Sequence, residues 1–177
     1  MVRPLIFAAL VGASLAATAA PLPNQPVPAL DLARYAGTWH EIAHLPLFFQ
    51  RQCIDTITAT YTPRPDGTLT VHNACRTAKG MDASDGVAHR VDADSGALKV
   101  RFAPSWLAWL PMVWADYWVI ELGPDYRWAV VGSPSRKYLW VLSREPSMPA
   151  TQFRAIRDRA TARGYPVDRL IMAAPLD

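Results

Sequence analysis

The chain has 177 residues, of which 51% are hydrophobic and 10% aromatic. This composition argues against intrinsic disorder and suits one domain with a substantial core. The 18 basic and 15 acidic side chains nearly balance, so the charge gives no indication of a nucleic-acid partner.

The first 19 residues have the composition of a secretory signal peptide. Arg3 supplies a positive start, "PLIFAALVGASLAA" an apolar centre, and "ATA" at 17–19 a small-residue cleavage site. The rest of the sequence contains no run of roughly 20 apolar residues that could span a membrane. Bacterial lipoproteins carry a cysteine directly after the signal, whereas the first cysteine here is Cys53. We therefore expect an exported, soluble, periplasmic protein without a lipid anchor.

Residues 20–30, "APLPNQPVPAL", hold four prolines and predict an extended arm in front of one domain at 31–177. Beyond the arm, strand patterns alternate with turn signals at a spacing typical of an all-β barrel or sandwich. The alternation of apolar and polar residues is clearest in "TLTVHNAC" and "ALKVRFA". The predicted strands are 37–45, 54–62, 68–76, 86–92, 97–103, 115–122, 126–132 and 137–144.

Turn residues favour hairpins at 63–67, 92–96 and 123–125. Successive connections of an up-and-down barrel alternate between its two ends, so these tight turns share one end. The longer connections, predicted at 46–53, 77–85, 104–114 and 133–136, share the other, open end.

One segment has helical periodicity. In "PATQFRAIRDRATARG", Phe153, Ile156 and Ala160 recur three and four residues apart, with arginines on the opposite side. A short strand, "DRLIMAA", follows. The predicted fold is an all-β, eight-stranded antiparallel up-and-down barrel with one flanking C-terminal α-helix and a short closing strand.

Two cysteines in an exported chain predict one disulfide, Cys53 to Cys75. Such a bridge contributes ~3 kcal/mol to stability in the chain-entropy account. The alternative is a pair of buried thiols.

Three segments of this sequence resemble the lipocalin family, in particular its bacterial outer-membrane and apolipoprotein D-like branches. "YAGTWHEIA" contains the family's G-x-W at Gly37 and Trp39, "GPDYRWAVV" resembles its T-D-Y motif with Pro124 in place of Thr, and "YLWVLSREP" supplies the single arginine, Arg144. The resemblance implies structural roles for Gly37, Trp39 and Arg144. The indole would plug the narrow end of the barrel and the guanidinium would lie over its face.

Two connections at the open end are apolar, and we expect them to meet as an exposed patch that admits a ligand and permits transient contact with a membrane surface. Arg51 and Lys137 would add weak attraction for anionic head groups. The alternative is that these loops fold inward and only cap the core. The predicted contact residues are Leu47, Phe48, Phe49, Trp106, Leu107, Trp109, Leu110, Met112 and Trp114.

The inward faces of the strands predict an apolar, aromatic pocket below that opening, which suits an acyl chain or a flat hydrophobe. With the resemblance, this indicates a binder of a fatty acid or lysophospholipid, present as a monomer or weak homodimer. The predicted lining is Ala59, Tyr61, Leu69, Val71, Val100, Phe102, Tyr117, Val119, Val131, Trp140 and Leu142.

No pattern in the chain indicates catalysis, a cofactor or a metal. His40, His44, His72 and His89 have no cysteine or carboxylate cluster to complete a metal site. Glu41 and Glu121 are candidates for an internal carboxylate pair, but isolated glutamates on strands are more often solvated or salt-bridged. An enzyme acting on a lipid in the cavity, and an interaction or self-association module using the tryptophan-rich loop 105–114, remain as alternatives.

Overall fold

The computed structural model describes residues 21–177, so the predicted signal peptide at 1–19 lies outside the described residues. Nine strands and two α-helices make up this part of the chain, with short 3-10 turns in the connections. The helices are α1 (Leu32–Tyr35) and α2 (Ala150–Ala162). The strands are β1 (Gly37–His44), β2 (Asp55–Pro63), β3 (Leu69–Thr77), β4 (Gly80–Arg90), β5 (Ala97–Arg101), β6 (Ala115–Leu122), β7 (Trp128–Gly132), β8 (Leu139–Ser143) and β9 (Ile171–Met172).

The first eight strands close into an antiparallel up-and-down barrel, as predicted. Each strand from β2 to β7 pairs with the next along the chain, and β1 completes the ring because it pairs with both β2 and β8. Its first half, Gly37 to His40, lies beside β2, and its second half, His40 to His44, lies beside β8. The short strand β9 pairs with Ala43 and His44, at the C-terminal end of β1.

The predicted start of the fourth strand at residue 86 is wrong, because β4 begins at Gly80. Thr77 pairs with Gly80 across a tight turn, so the long connection expected at 77–85 does not exist. The segment "MDASDG" at 81–86 gives no sequence signal of a strand, because residues 81–85 are exposed on both faces and show no apolar alternation. Strands β7 and β8 also begin two residues later than predicted, at Trp128 and Leu139.

Helix α2 packs on the outside of the barrel through the predicted apolar stripe. Phe153, Ile156 and Ala160 are buried in a cluster with outward side chains of β1, β6, β7 and β8. The helix ends before Gly164, which takes a positive φ of 84° that glycine adopts without strain. Burial of this face, rather than helical propensity, holds the helix in place.

The proline-rich arm at 21–30 contains no helix or strand, but it is hydrogen-bonded to the barrel. The Val27 amide donates to the Val119 carbonyl at 2.8 Å, and the Gly96 amide donates to the Val27 carbonyl at 2.8 Å. Farther toward the N-terminus, the Tyr165 hydroxyl bonds the Asn24 side-chain oxygen at 2.8 Å. Residues 27–30 of the arm therefore lie at the end of the barrel that carries the tight turns, whereas Asn24 lies beside Ser133 and Tyr165.

No helix among residues 21–177 is long and apolar enough to cross a membrane.

Candidate functional site: a cavity inside the barrel

The two ends of the barrel differ in how they are closed. The base is covered by the arm, α1 and three tight turns, and Trp39 is fully buried there with Arg144 stacked on its ring. The opposite end is bordered by four connections, which we call the mouth loops. They span residues 45–54, 78–79, 102–114 and 133–138.

A cavity of about 670 Å³ extends from the mouth loops into the barrel. This volume lies within the range of about 300–1,000 Å³ that is usual for small-molecule sites. Its walls come from every strand of the barrel except β7, together with the first, third and fourth mouth loops. Most of the lining is apolar, so the cavity suits a hydrophobic molecule.

Eight of the eleven residues predicted to line a pocket do line this cavity, and the other three do not. Leu69, Val119 and Val131 are fully buried below it, in the core cluster that fills the base. The inward direction inferred for these three is right, but the packed base reaches higher than expected. The eight lining residues are Ala59, Tyr61, Val71, Val100, Phe102, Tyr117, Trp140 and Leu142.

Three tyrosines form the floor. The hydroxyl of Tyr117 lies 2.7 Å from the hydroxyls of both Tyr35 and Tyr61. Burial raises the pKa of all three phenols above the ordinary value, because an ionised phenolate would be poorly solvated there. The floor is therefore neutral, and it separates the cavity from the Trp39 plug.

Glu41 puts a carboxylate on the cavity wall. The Nε2 group of Gln50, from the first mouth loop, donates to both carboxylate oxygens at 2.8 and 2.9 Å. The Nδ1 atom of His44 contacts the Oε1 atom. These bonds tie the first mouth loop to β1.

Sequence reasoning missed Glu41 as a lining residue and also missed Asn73. The signal was present, since each follows a recognised inward residue, Trp39 or Val71, at a spacing of two. Glu41 and Glu121 do not form an internal carboxylate pair, and the expectation that strand glutamates are solvated or salt-bridged holds for Glu121. Glu121 lies on the outside of the barrel, where it accepts hydrogen bonds from Arg159 and Arg163 of α2.

Several mouth-loop side chains point into solvent. Trp106, Trp109 and Met112 are 71%, 77% and 84% exposed, and Phe48 and Phe49 are exposed as well. These five residues make up the apolar rim. They leave the cavity open, so the alternative in which the loops only cap a filled core does not describe this structure.

Four other residues predicted at the opening are less accessible than expected. Leu47 is buried, and Leu107 and Leu110 are half-buried. Trp114 turns away from the mouth and packs on the outer face of the barrel, with its ring 4.4 Å from that of His89 and its Nε1 bonded to the Ala108 carbonyl. A shallow outer cleft of about 290 Å³ lies there, between Lys99, Trp109 and Trp114.

The predicted disulfide between Cys53 and Cys75 is confirmed, which removes the alternative of two thiols. It links the first mouth loop to β3, and both residues line the cavity. The bridge braces the mouth, although the neighbouring β3–β4 connection is itself a tight hairpin rather than the long loop expected there.

The family profile described as "Lipocalin-like domain" matches residues 30–175. The chain belongs to the lipocalin family. It is 40% identical over 148 residues to temperature-induced lipocalin-1 of Arabidopsis thaliana, covering 81% of this chain and 78% of the relative. It is 36% identical over 174 residues to the outer membrane lipoprotein Blc of Escherichia coli K12, covering 95% and 94%.

A solved lipocalin-type structure shares the fold at low sequence identity. Insecticyanin from the tobacco hornworm Manduca sexta has a TM-score of 0.64 and 20% identity, with 90% of each chain covered. Among known proteins, this lipocalin therefore has relatives in bacteria and plants, and its barrel architecture extends to insects. Lipocalins bind small hydrophobic ligands, which agrees with the apolar cavity.

Proposed function

We propose that this lipocalin binds a lipid-like molecule with a single hydrocarbon chain in its cavity and carries or scavenges it near membranes. The observation that supports the proposal most directly is an apolar cavity of about 670 Å³ that is closed at the base and open at the mouth. A fatty acid and a lysophospholipid both supply such a chain. The proposed contacts are the eight predicted lining residues found on the cavity wall.

Burial of the chain is sufficient to hold such a ligand. Each CH₂ group that leaves water contributes ~0.8 kcal/mol, so a long chain gains several kcal/mol without any charged clamp. The three-tyrosine floor sets the depth to which the chain can reach. Ordering the ligand and desolvating its polar end offset part of this gain.

We propose that the ligand enters and leaves at a membrane surface. The apolar rim stands at the mouth, where it can insert between head groups. The mouth loops contain four basic residues, Arg51, Lys79, Arg136 and Lys137, and no acidic ones, which favours an anionic bilayer. A charged bilayer would thereby orient the open end toward the lipid.

A periplasmic location is part of the proposal. A disulfide forms and persists in oxidising compartments such as the periplasm, and one relative is named an outer membrane lipoprotein. A carrier is favoured over an enzyme because both cysteines on the described cavity wall are bonded to each other and so offer no free thiol nucleophile.

Native mass spectrometry of protein purified from its source tests this function. We expect a co-purifying lipid at one per chain, and we expect it to be lost in Ala115→Trp, which places an indole in the cavity at the mouth. Ala155→Trp is the matched control, because Ala155 is exposed on α2 outside the barrel. An empty stable dimer would instead support an interaction module, and turnover of an added lipid would support an enzyme.

A further inference from the structure

The first mouth loop is fixed at both ends. On its N-terminal side, Leu45 and Leu47 are buried in the barrel. On its C-terminal side, Cys53 is bonded to Cys75. The intervening residues 48–52 lie at the mouth, and four of these five are exposed. A short segment between two fixed points can move as a unit while the strands beside it stay folded.

Gln50 makes the only side-chain hydrogen bonds that join residues 48–52 to the barrel, within the part of the chain that the structure describes. Its Nε2 group donates to both carboxylate oxygens of Glu41, at 2.8 and 2.9 Å. The backbone hydrogen bonds of this segment stay within the loop. Because hydrogen bonds to a charged group are stronger than those between neutral groups, this one side chain can hold the segment down.

A β-bulge holds the acceptor in place. Residues three apart on a regular strand point to opposite faces, but the register of β1 against β8 shifts between Glu41 and Ala43. The shift lets the Nδ1 atom of His44 reach the Oε1 atom of Glu41. Glu41 and His44 are only 6% and 7% exposed. Glu41 therefore presents a fixed pair of acceptors to Gln50.

The same segment carries two phenylalanines of the apolar rim. Phe48 and Phe49 are 71% and 49% exposed, and their ring centroids lie 5.2 Å apart in an edge-to-face arrangement. Both residues also line the cavity, together with Gln50. The contact that holds Gln50 therefore also sets the width of the opening.

We propose that the hydrogen bonds from Gln50 to Glu41 are a latch that keeps the opening narrow, and that insertion of Phe48 and Phe49 into a bilayer releases it. The inference rests on the proposed function and names the regulation of the same cavity. Burying two phenylalanine rings in a bilayer contributes about as much free energy as two hydrogen bonds to a carboxylate, so membrane contact can offset the loss of the latch. The ligand then exchanges slowly in water and faster at a membrane.

Stopped-flow kinetics with the neutral fluorescent probe N-phenyl-1-naphthylamine test the latch. Gln50→Glu places a second carboxylate against Glu41, so repulsion should open the loop. We expect the association and dissociation rate constants to rise together, roughly tenfold, because the loss of the charge-assisted hydrogen bonds affects entry and exit alike. The dissociation constant should hardly change. Gln50→Ala should shift both rate constants in the same direction.

Gln52→Glu is the matched control. It adds the same charge to an exposed residue of the same loop, without touching the hydrogen bonds to Glu41. Both rate constants should stay close to those of the unmodified protein. A rise equal to that of Gln50→Glu would show that charge at the mouth, rather than the latch, controls exchange.

Transfer of the bound probe to vesicles of equimolar phosphatidylglycerol and phosphatidylcholine tests the release. For the unmodified protein, we expect the transfer rate to rise with vesicle concentration, because opening requires contact with the bilayer. For Gln50→Glu the rate should be high and nearly independent of vesicle concentration, since the loop is already open. The double variant Phe48→Ser, Phe49→Ser should not respond to vesicle concentration, because it keeps the latch but has no rings to insert.

The outcomes separate the two proposals. If the probe binds but Gln50→Glu leaves its rate constants unchanged, or weakens binding with no change in association, the latch is wrong while the hydrophobic cavity stands. A transfer rate from the unmodified protein that does not depend on vesicle concentration would overturn release by the membrane. If the probe does not bind the unmodified protein, the proposed carrier function fails, and this inference fails with it.

Discussion

The guanidinium of Arg144 lies 3.7 Å from the ring centroid of Trp39 and closes the base of the barrel. It also donates hydrogen bonds of 2.8 Å to the carbonyls of Arg34, Ala36 and Thr38. Burial lowers the pKa of Arg144, but these acceptors and the indole face replace the water that it loses. One side chain therefore joins α1, β1 and the end of β8.

Arg144→Ala should lower the free energy of unfolding by about 3 kcal/mol, because charge-assisted hydrogen bonds and a desolvated cation–π contact disappear together. Chemical denaturation followed by tryptophan fluorescence measures the loss. Arg127→Ala removes an exposed arginine paired with Glu145 and should cost less than about 0.5 kcal/mol. Equal losses in the two variants would contradict a structural role for Arg144.

The buried tyrosines predict a loss of stability in alkali. An unfolded phenol ionises near pH ~10, whereas burial raises the pKa of Tyr35, Tyr61, Tyr117 and Tyr165 in the folded protein. Above that pH the unfolded chain has released protons that the folded chain retains, so stability falls as pH rises from about 10 and is fully present below it.

Tyrosinate absorbance and the denaturation midpoint, both followed against pH, check this prediction. We expect a first group of phenols to titrate in the folded protein and the buried group to titrate only as the fold is lost. Ionisation of all six tyrosines near pH ~10 with the barrel intact would contradict the buried floor.

The disulfide should contribute most of its stabilisation through the unfolded chain. Cys53 and Cys75 are 22 residues apart, and opening a loop of this size should cost ~3 kcal/mol. Cys53→Ser with Cys75→Ser should lower the melting temperature, and added reductant should then have no further effect on that variant. Two thiols that can be alkylated in the native, unreduced protein would contradict the bridge.

Trp109→Ala should weaken binding to vesicles and slow ligand delivery from them, with little effect on affinity for a ligand free in solution. The indole is 77% exposed and would bury a large apolar surface in the head-group region. We expect a roughly tenfold weaker partition onto anionic vesicles. Val91→Ala, an exposed apolar residue at the closed end, is the control, and an equal effect there would contradict an oriented contact.

The sequence pattern predicts the barrel well where one face of a strand is buried. Leu69 and Val71 on β3 and Leu98 and Val100 on β5 alternate with polar residues, and both strands lie within a few residues of the predicted positions. The prediction misses the first half of β4, because residues 81–85 are exposed on both faces. Alternation reports burial on one side, so it carries no signal where neither side is buried.

The candidate site is predicted less completely for a related reason. Alternation gives the direction in which a side chain points, but not how far the packed base rises, so it predicts Leu69, Val119 and Val131 in the cavity although they lie in the core below it. The local sequence also does not show which way a loop side chain points, since Trp109 faces solvent whereas Trp114, five residues later, packs against His89. The position of a glutamate also depends on tertiary structure, because Glu41 and Glu121 look alike in sequence, yet Glu41 faces the cavity and Glu121 faces α2 outside the barrel.

A crystal structure with a brominated chain, 12-bromododecan-1-ol, tests the central claim most directly. We predict anomalous bromine density inside the barrel, between Val71, Tyr117 and Trp140, with no displacement of the tyrosine floor. Density confined to the outer cleft beside Trp114, or none at a concentration that saturates binding in solution, would contradict a ligand-binding cavity.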